Sequence, residues 1–120
     1  MPRFERWDVV AVPFPYAERP IQQRRPALVV AAGLGAAQDL LWVLMITAAA
    51  NPRWPDDVEI DDHAQAGLPI ASVVRTAKIA TLEVRAASKL GRLQRQATAR
   101  IAAMLDRRLA GRGRLRRREI

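Results

Sequence analysis

The chain has 120 residues, of which 50% are apolar, 27% are charged and none is cysteine, and its formal net charge is +8 at pH 7. This length and composition predict one soluble globular domain with a hydrophobic core, and the lack of cysteine excludes disulfides, cysteine-ligated zinc and thiolate nucleophiles. The longest uncharged runs, residues 26–38 and 40–52, are too short to span a membrane, and the N-terminus lacks the apolar core of a signal peptide, so we expect a cytoplasmic protein.

The positive charge is concentrated at the C-terminus. Residues 84–120 contain twelve Lys and Arg against two Asp and Glu, whereas residues 1–83 contain eight against ten. Residues 111–120 are rich in Arg and Gly and have little apolar surface to bury, which predicts a flexible basic tail after a single domain at residues 1–110. Such a tail attracts phosphates without choosing a sequence.

The first two predicted strands frame an arginine. Residues 7–12 are short and rich in Val, and Pro13 and Pro15 follow, which predicts a first strand ending before the prolines. A polar, mobile loop at residues 16–24 then leads to a second strand at residues 26–32. Because the proline that follows Arg25 favours extended geometry there, we expect Arg25 to be held where the loop enters the strand. A guanidinium held in this way suits a phosphate.

The middle of the chain continues as short strands. Gly33 and Gly35 indicate a turn, residues 40–47 a buried strand with Trp42 in the core, residues 58–60 a short edge strand, and residues 72–75 the start of another. The prolines of residues 51–55 indicate a loop. A run of short strands predicts a mostly β fold, a small barrel.

The hydrophobic period changes after Gly91. Apolar residues then recur at helical spacing, while charged residues lie off this stripe, which predicts an amphipathic C-terminal helix that packs one face on the barrel. The stripe consists of Leu93, Ala97, Ile101, Met104, Leu105 and Leu109.

Six segments together resemble the MazF/PemK toxins of type II toxin–antitoxin systems, from about residue 7 to residue 109. The resemblance implies an SH3-like barrel, a homodimer, an acidic antitoxin as partner, and a metal-independent endoribonuclease that leaves 2′,3′-cyclic phosphate and 5′-OH ends on single-stranded RNA. The segments, in matching order and spacing, are residues 7–15, 25–30, 46–47, 72–75, 79–82 and 90–93.

The same resemblance implies the site. Arg25, Thr47 and Arg75 match catalytic positions of the family, and Glu18 in the loop is the nearest replacement for a general base. Arginine stabilises charge that builds on the phosphoryl oxygens, and a threonine hydroxyl hydrogen-bonds a phosphate oxygen or orients the attacking group. No metal or other cofactor is expected. The residues expected to bind RNA are Arg19, Arg24, Trp54 and Lys78.

Several alternatives remain open on the sequence alone. Ala77 stands where PemK-like members carry an aspartate, so the second hypothesis is a catalytically silent barrel that binds RNA or a protein partner. Trp54, between two prolines, either stacks on a base or lies over the barrel. Asp61, Asp62 and His63 are interpreted as a solvated acidic loop in preference to a metal site, because they lack the spacing of a metal-binding loop.

Overall fold

A computed structural model of the chain describes residues 3–15 and 22–112, and these contain six strands and one α-helix. The strands are β1 (Asp8–Pro15), β2 (Gln22–Leu34), β3 (Leu40–Ala48), β4 (Asp57–Glu59), β5 (Ser72–Glu83) and β6 (Ser88–Arg92), and the helix is α1 (Arg95–Arg107). A 3-10 turn at Val84–Ala86 joins β5 to β6, and a π-helical turn at Arg108–Arg112 continues α1.

All six strands belong to one antiparallel sheet with the order β4-β5-β3-β2-β1-β6. Three consecutive strands, β1 to β3, pair with their neighbours in sequence, and β5 pairs with the other side of β3. The mostly β class predicted from the sequence is confirmed. In the described part of the chain the sheet is not closed by pairing between its two outer strands, β4 and β6.

A turn after β4 brings the two ends of the sheet together. Gly67 has a φ of +84°, and a Cβ built on it would lie 2.1 Å from the carbonyl oxygen of Leu90 in β6. A Cβ on Gly91 would lie 2.3 Å from the carbonyl oxygen of Ala66. Only glycine permits backbones to approach this closely, so the turn and β6 together complete the barrel-like shape without a ladder.

The sheet is buried on both faces, which explains why β3 is an almost continuous apolar run. Val43 and Leu44 are adjacent and fully buried, yet they belong to two different core clusters on opposite faces. Leu44 belongs to the cluster that includes Ile101 and Leu105 of α1. Val43 lies in the second cluster, which the chain covers with Phe4 and with the turn after β5.

The prediction that Pro13 and Pro15 end the first strand is wrong. β1 continues to Pro15, and these prolines pair with Arg24 and Gln22 of β2. β6 reaches β1 only at residues 8–11, so the prolines lie where one side of β1 has no ladder partner among the described residues. Proline is tolerated at such an edge because no partner there needs its missing N–H.

The β1–β2 hairpin is correspondingly longer than expected. β2 begins at Gln22, so Arg25 lies inside a paired strand, opposite Val12, and not at the entrance of the strand. The residues between Pro15 and Gln22, which include Glu18 and Arg19, lie outside the described residues.

The prediction that Trp42 is a core residue is also wrong. Its side chain is 42% exposed, although Leu41 and Val43 on either side are fully buried. Helix α1 contacts β5 at Thr76, whereas Trp42 pairs with Thr81 further along the same strand. Trp42 therefore faces the helix side of the sheet beyond the region that the helix covers.

The predicted amphipathic helix is confirmed, with two corrections at its ends. Ala97, Ile101 and Leu105 are buried against the sheet, as the stripe predicts. Leu93 is buried but precedes α1, and Leu109 is exposed in the π-helical turn that follows it. The tail beyond residue 112 lies outside the described residues. Within residues 3–15 and 22–112 no helix has the length and apolar character to cross a membrane.

Candidate functional site

A groove of about 330 Å³ opens where the strand ends of the sheet meet. It lies between the β1–β2 hairpin, the end of β3, the start of β5 and the middle of β6. Its basic side chains are Arg24 and Arg25 from β2. Among the described residues that line it, none carries a carboxylate or an imidazole, so the groove favours an anionic ligand.

Strand geometry brings Arg25 and Thr47 to one face of this groove. Ala27 of β2 pairs with Met45 of β3 in an antiparallel ladder. Arg25 lies two residues before Ala27 in β2, and Thr47 lies two residues after Met45 in β3. Residues two positions apart in a strand have side chains on the same face, so Arg25 and Thr47 lie on one face of the sheet. Both residues are half-buried and both line the groove. A guanidinium and a hydroxyl thus face the same space.

The Thr47 hydroxyl has a partner that the sequence did not identify. Asn51 lies in the loop between β3 and β4, and its Nδ2 donates to Thr47 Oγ1 at 2.6 Å. Asn51 itself lines the groove. The sequence signal at this position is an asparagine before Pro52, which marks a turn and predicts no contact with a strand residue. The contact arises because the loop folds back onto the end of β3.

Arg24 is held against the hairpin from the opposite face of β2. Its Nη2 donates to the carbonyl oxygen of Ala11 at 2.8 Å and to Ser88 Oγ at 2.7 Å. The side chain therefore bridges β1 and β6 while remaining exposed. An exposed guanidinium whose orientation is fixed in this way can contact a phosphate at a small loss of conformational entropy.

Apolar side chains form the rest of the groove wall. Ile70 and Leu90 remain 54% and 41% exposed, which is unusual for large aliphatic residues of a small domain. They lie beside Ile46 and Leu68, which are buried. Apolar walls next to cations suit a ligand with flat apolar faces and a charged backbone, such as single-stranded nucleic acid.

Arg75 lies outside the groove and is engaged by three partners. Its Nη2 is 3.0 Å from Asp57 Oδ2, and Nη2 also donates to the carbonyl oxygen of Pro52 at 2.8 Å. The guanidinium carbon lies 4.2 Å from the ring centroid of Trp54. The side chains of Arg75 and Asp57 are only 12% and 2% exposed. Arg75 thus fastens the loop between β3 and β4 to the sheet.

The carboxylate of Asp57 is kept ionised by these contacts. Burial alone raises its pKa, but hydrogen bonds from Arg75 and from the N–H of Trp54, with the charges of Arg75 and Arg53, outweigh burial and hold the pKa below its ordinary value of 3.8. The ion pair is therefore fully charged near neutral pH.

The remaining predicted positions lie further from the groove. β5 contains a bulge in which Arg75 pairs with Met45 and Ile79 pairs with Leu44, so residues 76–78 have no partner on β3. Ala77 and Lys78 are exposed there, and neither lines the groove.

Comparison with protein families decides what the chain is. The sequence model of the PemK-like, MazF-like toxins of type II toxin–antitoxin systems matches residues 5–109. The chain belongs to this family. The match covers all six strands and α1, so the family resemblance predicted from six short segments is confirmed.

Solved structures of the family have the same fold. The chain is similar to a chain in the MazE–MazF crystal structure (Form-III) of Deinococcus radiodurans, with a TM-score of 0.66 and 21% identity over 88% of this chain and 95% of that one. It is also similar to MazF (Form-I) of the same organism, with a TM-score of 0.63 and 23% identity over 88% and 96%. Comparison with curated proteins finds no match.

The structure thus gathers part of the set of site residues predicted for a toxin of this family. Arg24, Arg25 and Thr47 share the groove, whereas Arg75, Trp54 and Lys78 lie outside its lining. Trp54 lies over Arg75, and its ring is 42% exposed. Within the described ranges, no group of three or more His, Asp or Glu side chains is placed to hold a metal ion. The role of each residue stays a prediction.

Proposed function

We propose that this toxin is an endoribonuclease that cleaves single-stranded RNA in the groove beside Arg25 and Thr47. The observation that carries the proposal is the shared position of these two side chains in a groove with basic and apolar walls. Membership of the MazF-like toxins supports it.

The proposed reaction is a transesterification within the RNA. The 2′-oxygen forms a bond to the adjacent phosphorus as the bond from phosphorus to the 5′-oxygen breaks, which leaves a 2′,3′-cyclic phosphate and a 5′-OH. A base takes the 2′-OH proton, and the departing 5′-oxygen takes a proton in return. Arg25 stabilises the negative charge on the phosphoryl oxygens, because its guanidinium is always protonated and donates two parallel hydrogen bonds. DNA lacks the 2′-OH and is not cut.

Glu18 remains our candidate for the base. The described lining of the groove offers only Arg, hydroxyl, amide and apolar side chains, and an arginine does not lose its proton. Glu18 belongs to the segment between β1 and β2, the two strands that form one rim of the groove. Replacing Glu18 by Gln should therefore lower the rate without weakening RNA binding.

We further propose two protein partners. One is a second copy of the chain, as the family resemblance implies. The other is an acidic antitoxin, and two of the similar solved structures are complexes of MazF with MazE. A segment with carboxylates and bulky apolar side chains fits the groove for the same reason that RNA does, because Arg24 and Arg25 lie beside Ile70 and Leu90.

The test is incubation of the purified protein with a long single-stranded RNA, with and without a chelator. The wild type should cut in both conditions, and Arg25→Ala should cut at least about 10²-fold more slowly. The matched control is Arg85→Ala, because Arg85 is 80% exposed and pairs only with Glu83 at the far end of β5 among the contacts described. A wild type that binds RNA but never cuts it would favour the silent barrel.

A further inference from the structure

Asn51 fixes the hydrogen-bonding direction of the Thr47 hydroxyl in the protein without substrate. A threonine hydroxyl has one proton and two acceptor lone pairs. Asn51 Nδ2 occupies one acceptor position at 2.6 Å, which is short for a hydrogen bond from an amide. The hydroxyl proton must then point away from the incoming N–H, toward the remaining directions around the oxygen. An oxygen that accepts a hydrogen bond also becomes a stronger donor.

We infer that Asn51 is a positioning residue that makes Thr47 a hydrogen-bond donor to a non-bridging oxygen of the scissile phosphate. The inference rests on the proposed function and selects between two roles for the threonine. A hydroxyl that oriented the attacking 2′-OH would have to accept its proton, and Asn51 leaves only one of the two acceptor positions on Thr47 Oγ1 for it. A hydroxyl that donates to a phosphate oxygen becomes a stronger donor when it accepts the hydrogen bond from Asn51.

The loop that carries Asn51 is held on both sides of it. On one side, the N–H of Ala49 donates to the carbonyl oxygen of Ala71 at 2.9 Å, and the N–H of Asn51 donates to the carbonyl oxygen of Ala48 at 3.0 Å. On the other, Arg75 Nη2 binds the carbonyl oxygen of Pro52. Because Arg75 is itself fixed by the nearly buried Asp57, the amide of Asn51 is offered to Thr47 from a loop with little freedom to move.

The first measurement is steady-state cleavage of a short RNA that contains one mapped cleavage site. Asn51→Ala should lower kcat about five- to tenfold at an unchanged KM, as loss of one neutral hydrogen bond predicts. In a Thr47→Val background the same substitution should cost nothing further, because its effect passes through the hydroxyl. Asn51→Asp should lower kcat at least as far, because a carboxylate accepts the Thr47 proton. Gln65→Ala is the control, since it removes an amide that contacts Gln94 away from the groove.

The second measurement separates positioning from a structural effect. One non-bridging oxygen of the scissile phosphate is replaced by sulfur, a weak hydrogen-bond acceptor, and the two diastereomers are compared. The wild type and Gln65→Ala should cut one diastereomer markedly more slowly than the other. Thr47→Val and Asn51→Ala should both reduce this difference, with the larger reduction in Thr47→Val.

The outcomes distinguish this inference from the proposed function. If the wild type cuts RNA but Asn51→Ala keeps full kcat, or keeps the wild-type sulfur effect, the role of Asn51 is overturned and the nuclease stands. The same holds if the losses from Asn51→Ala and Thr47→Val add in full. If the wild type cuts no RNA at any concentration, the proposed function fails and the role of Asn51 fails with it.

Discussion

Asp57 and Arg75 form an ion pair that is almost sealed from solvent, with Arg75 Nη2 3.0 Å from Asp57 Oδ2 and the two side chains 2% and 12% exposed. The pair joins β4 to β5, because the two residues are direct partners in that ladder. It also holds the loop that ends at Asp57, through the hydrogen bond from Arg75 to Pro52. Arg75, which the family resemblance places among the catalytic positions, thus also stabilises the fold.

Replacing Asp57 by Asn should lower the free energy of unfolding by about 3 kcal/mol near neutral pH, because Arg75 is left without its buried counter-charge. The folded-state pKa of Asp57 lies below 3.8, so the stability from this carboxylate is complete above that value and is lost as the pH falls through the lowered pKa. The difference in the free energy of unfolding between wild type and Asp57→Asn should therefore become smaller in acid. Urea unfolding at a series of pH values measures it.

The control for this substitution is Glu59→Gln. Glu59 pairs with Arg53 at 3.6 Å, but the two side chains are 65% and 46% exposed. Removing this surface pair should change stability by less than about 0.5 kcal/mol at any pH. An Asp57→Asn variant that matches Glu59→Gln in stability would contradict the importance of the buried pair.

Gly67→Ala should destabilise the protein by about 2 kcal/mol or more, because the new methyl group meets the Leu90 carbonyl oxygen and φ is +84°. Gly33→Ala is the matched control. Gly33 also has a positive φ, +68°, but its Cβ would meet nothing within 4 Å, so only the backbone cost of about 1 kcal/mol is expected. Thermal unfolding measures both. Equal losses of stability in the two variants would show that the turn does not approach β6 as closely as described.

The sequence predicted the class of fold because the β-branched runs, the glycine turns and the change to helical spacing after Gly91 are local signals. It missed β6, whose residues are mostly exposed and do not alternate between apolar and polar. It misplaced Trp42, because the burial of a strand residue depends on where the helix packs. These features arise from contacts between distant segments, which no local pattern encodes.

Some features of the candidate site were predicted from the sequence, and others depend on contacts between distant segments. Arg25 and Thr47 were selected by the resemblance to the family, and the ladder between Ala27 and Met45 brings them together. The contact between Asn51 and Thr47 depends on how a loop folds back onto the end of β3, and no local sequence pattern predicts it. The capture of Arg75 by Asp57 likewise depends on the pairing of β4 with β5.

Deleting residues 111–120 should weaken RNA binding equally for all sequences and flatten its dependence on salt. The segment holds five arginines and one glutamate, and cations in such a segment release counterions from phosphates without reading bases. Binding titrations at several salt concentrations measure the slope, and sequencing of the products measures the cleavage preference. A changed cleavage sequence in the truncated protein would show that the tail reads bases.

An acidic antitoxin should compete with RNA for the groove, and its binding should weaken with salt. Arg24→Ala with Arg25→Ala should abolish antitoxin binding, because both groove cations are lost, while a homodimer that rests on apolar surface should persist. Competition against labelled RNA and light scattering measure the two effects. Antitoxin that binds without displacing RNA would refute the shared groove, and a monomeric mass at micromolar concentration would refute the dimer.

The central claim is that Arg25 and Thr47 promote attack by the RNA's own 2′-OH. Analysis of the end groups of the cleavage products tests it most directly. We predict a 2′,3′-cyclic phosphate on the upstream fragment and a 5′-OH on the downstream fragment, formed equally with and without a chelator and formed much more slowly by Arg25→Ala and by Thr47→Val. Fragments with 5′-phosphate ends, or cyclic ends that both variants produce at the wild-type rate, would contradict this account of the groove.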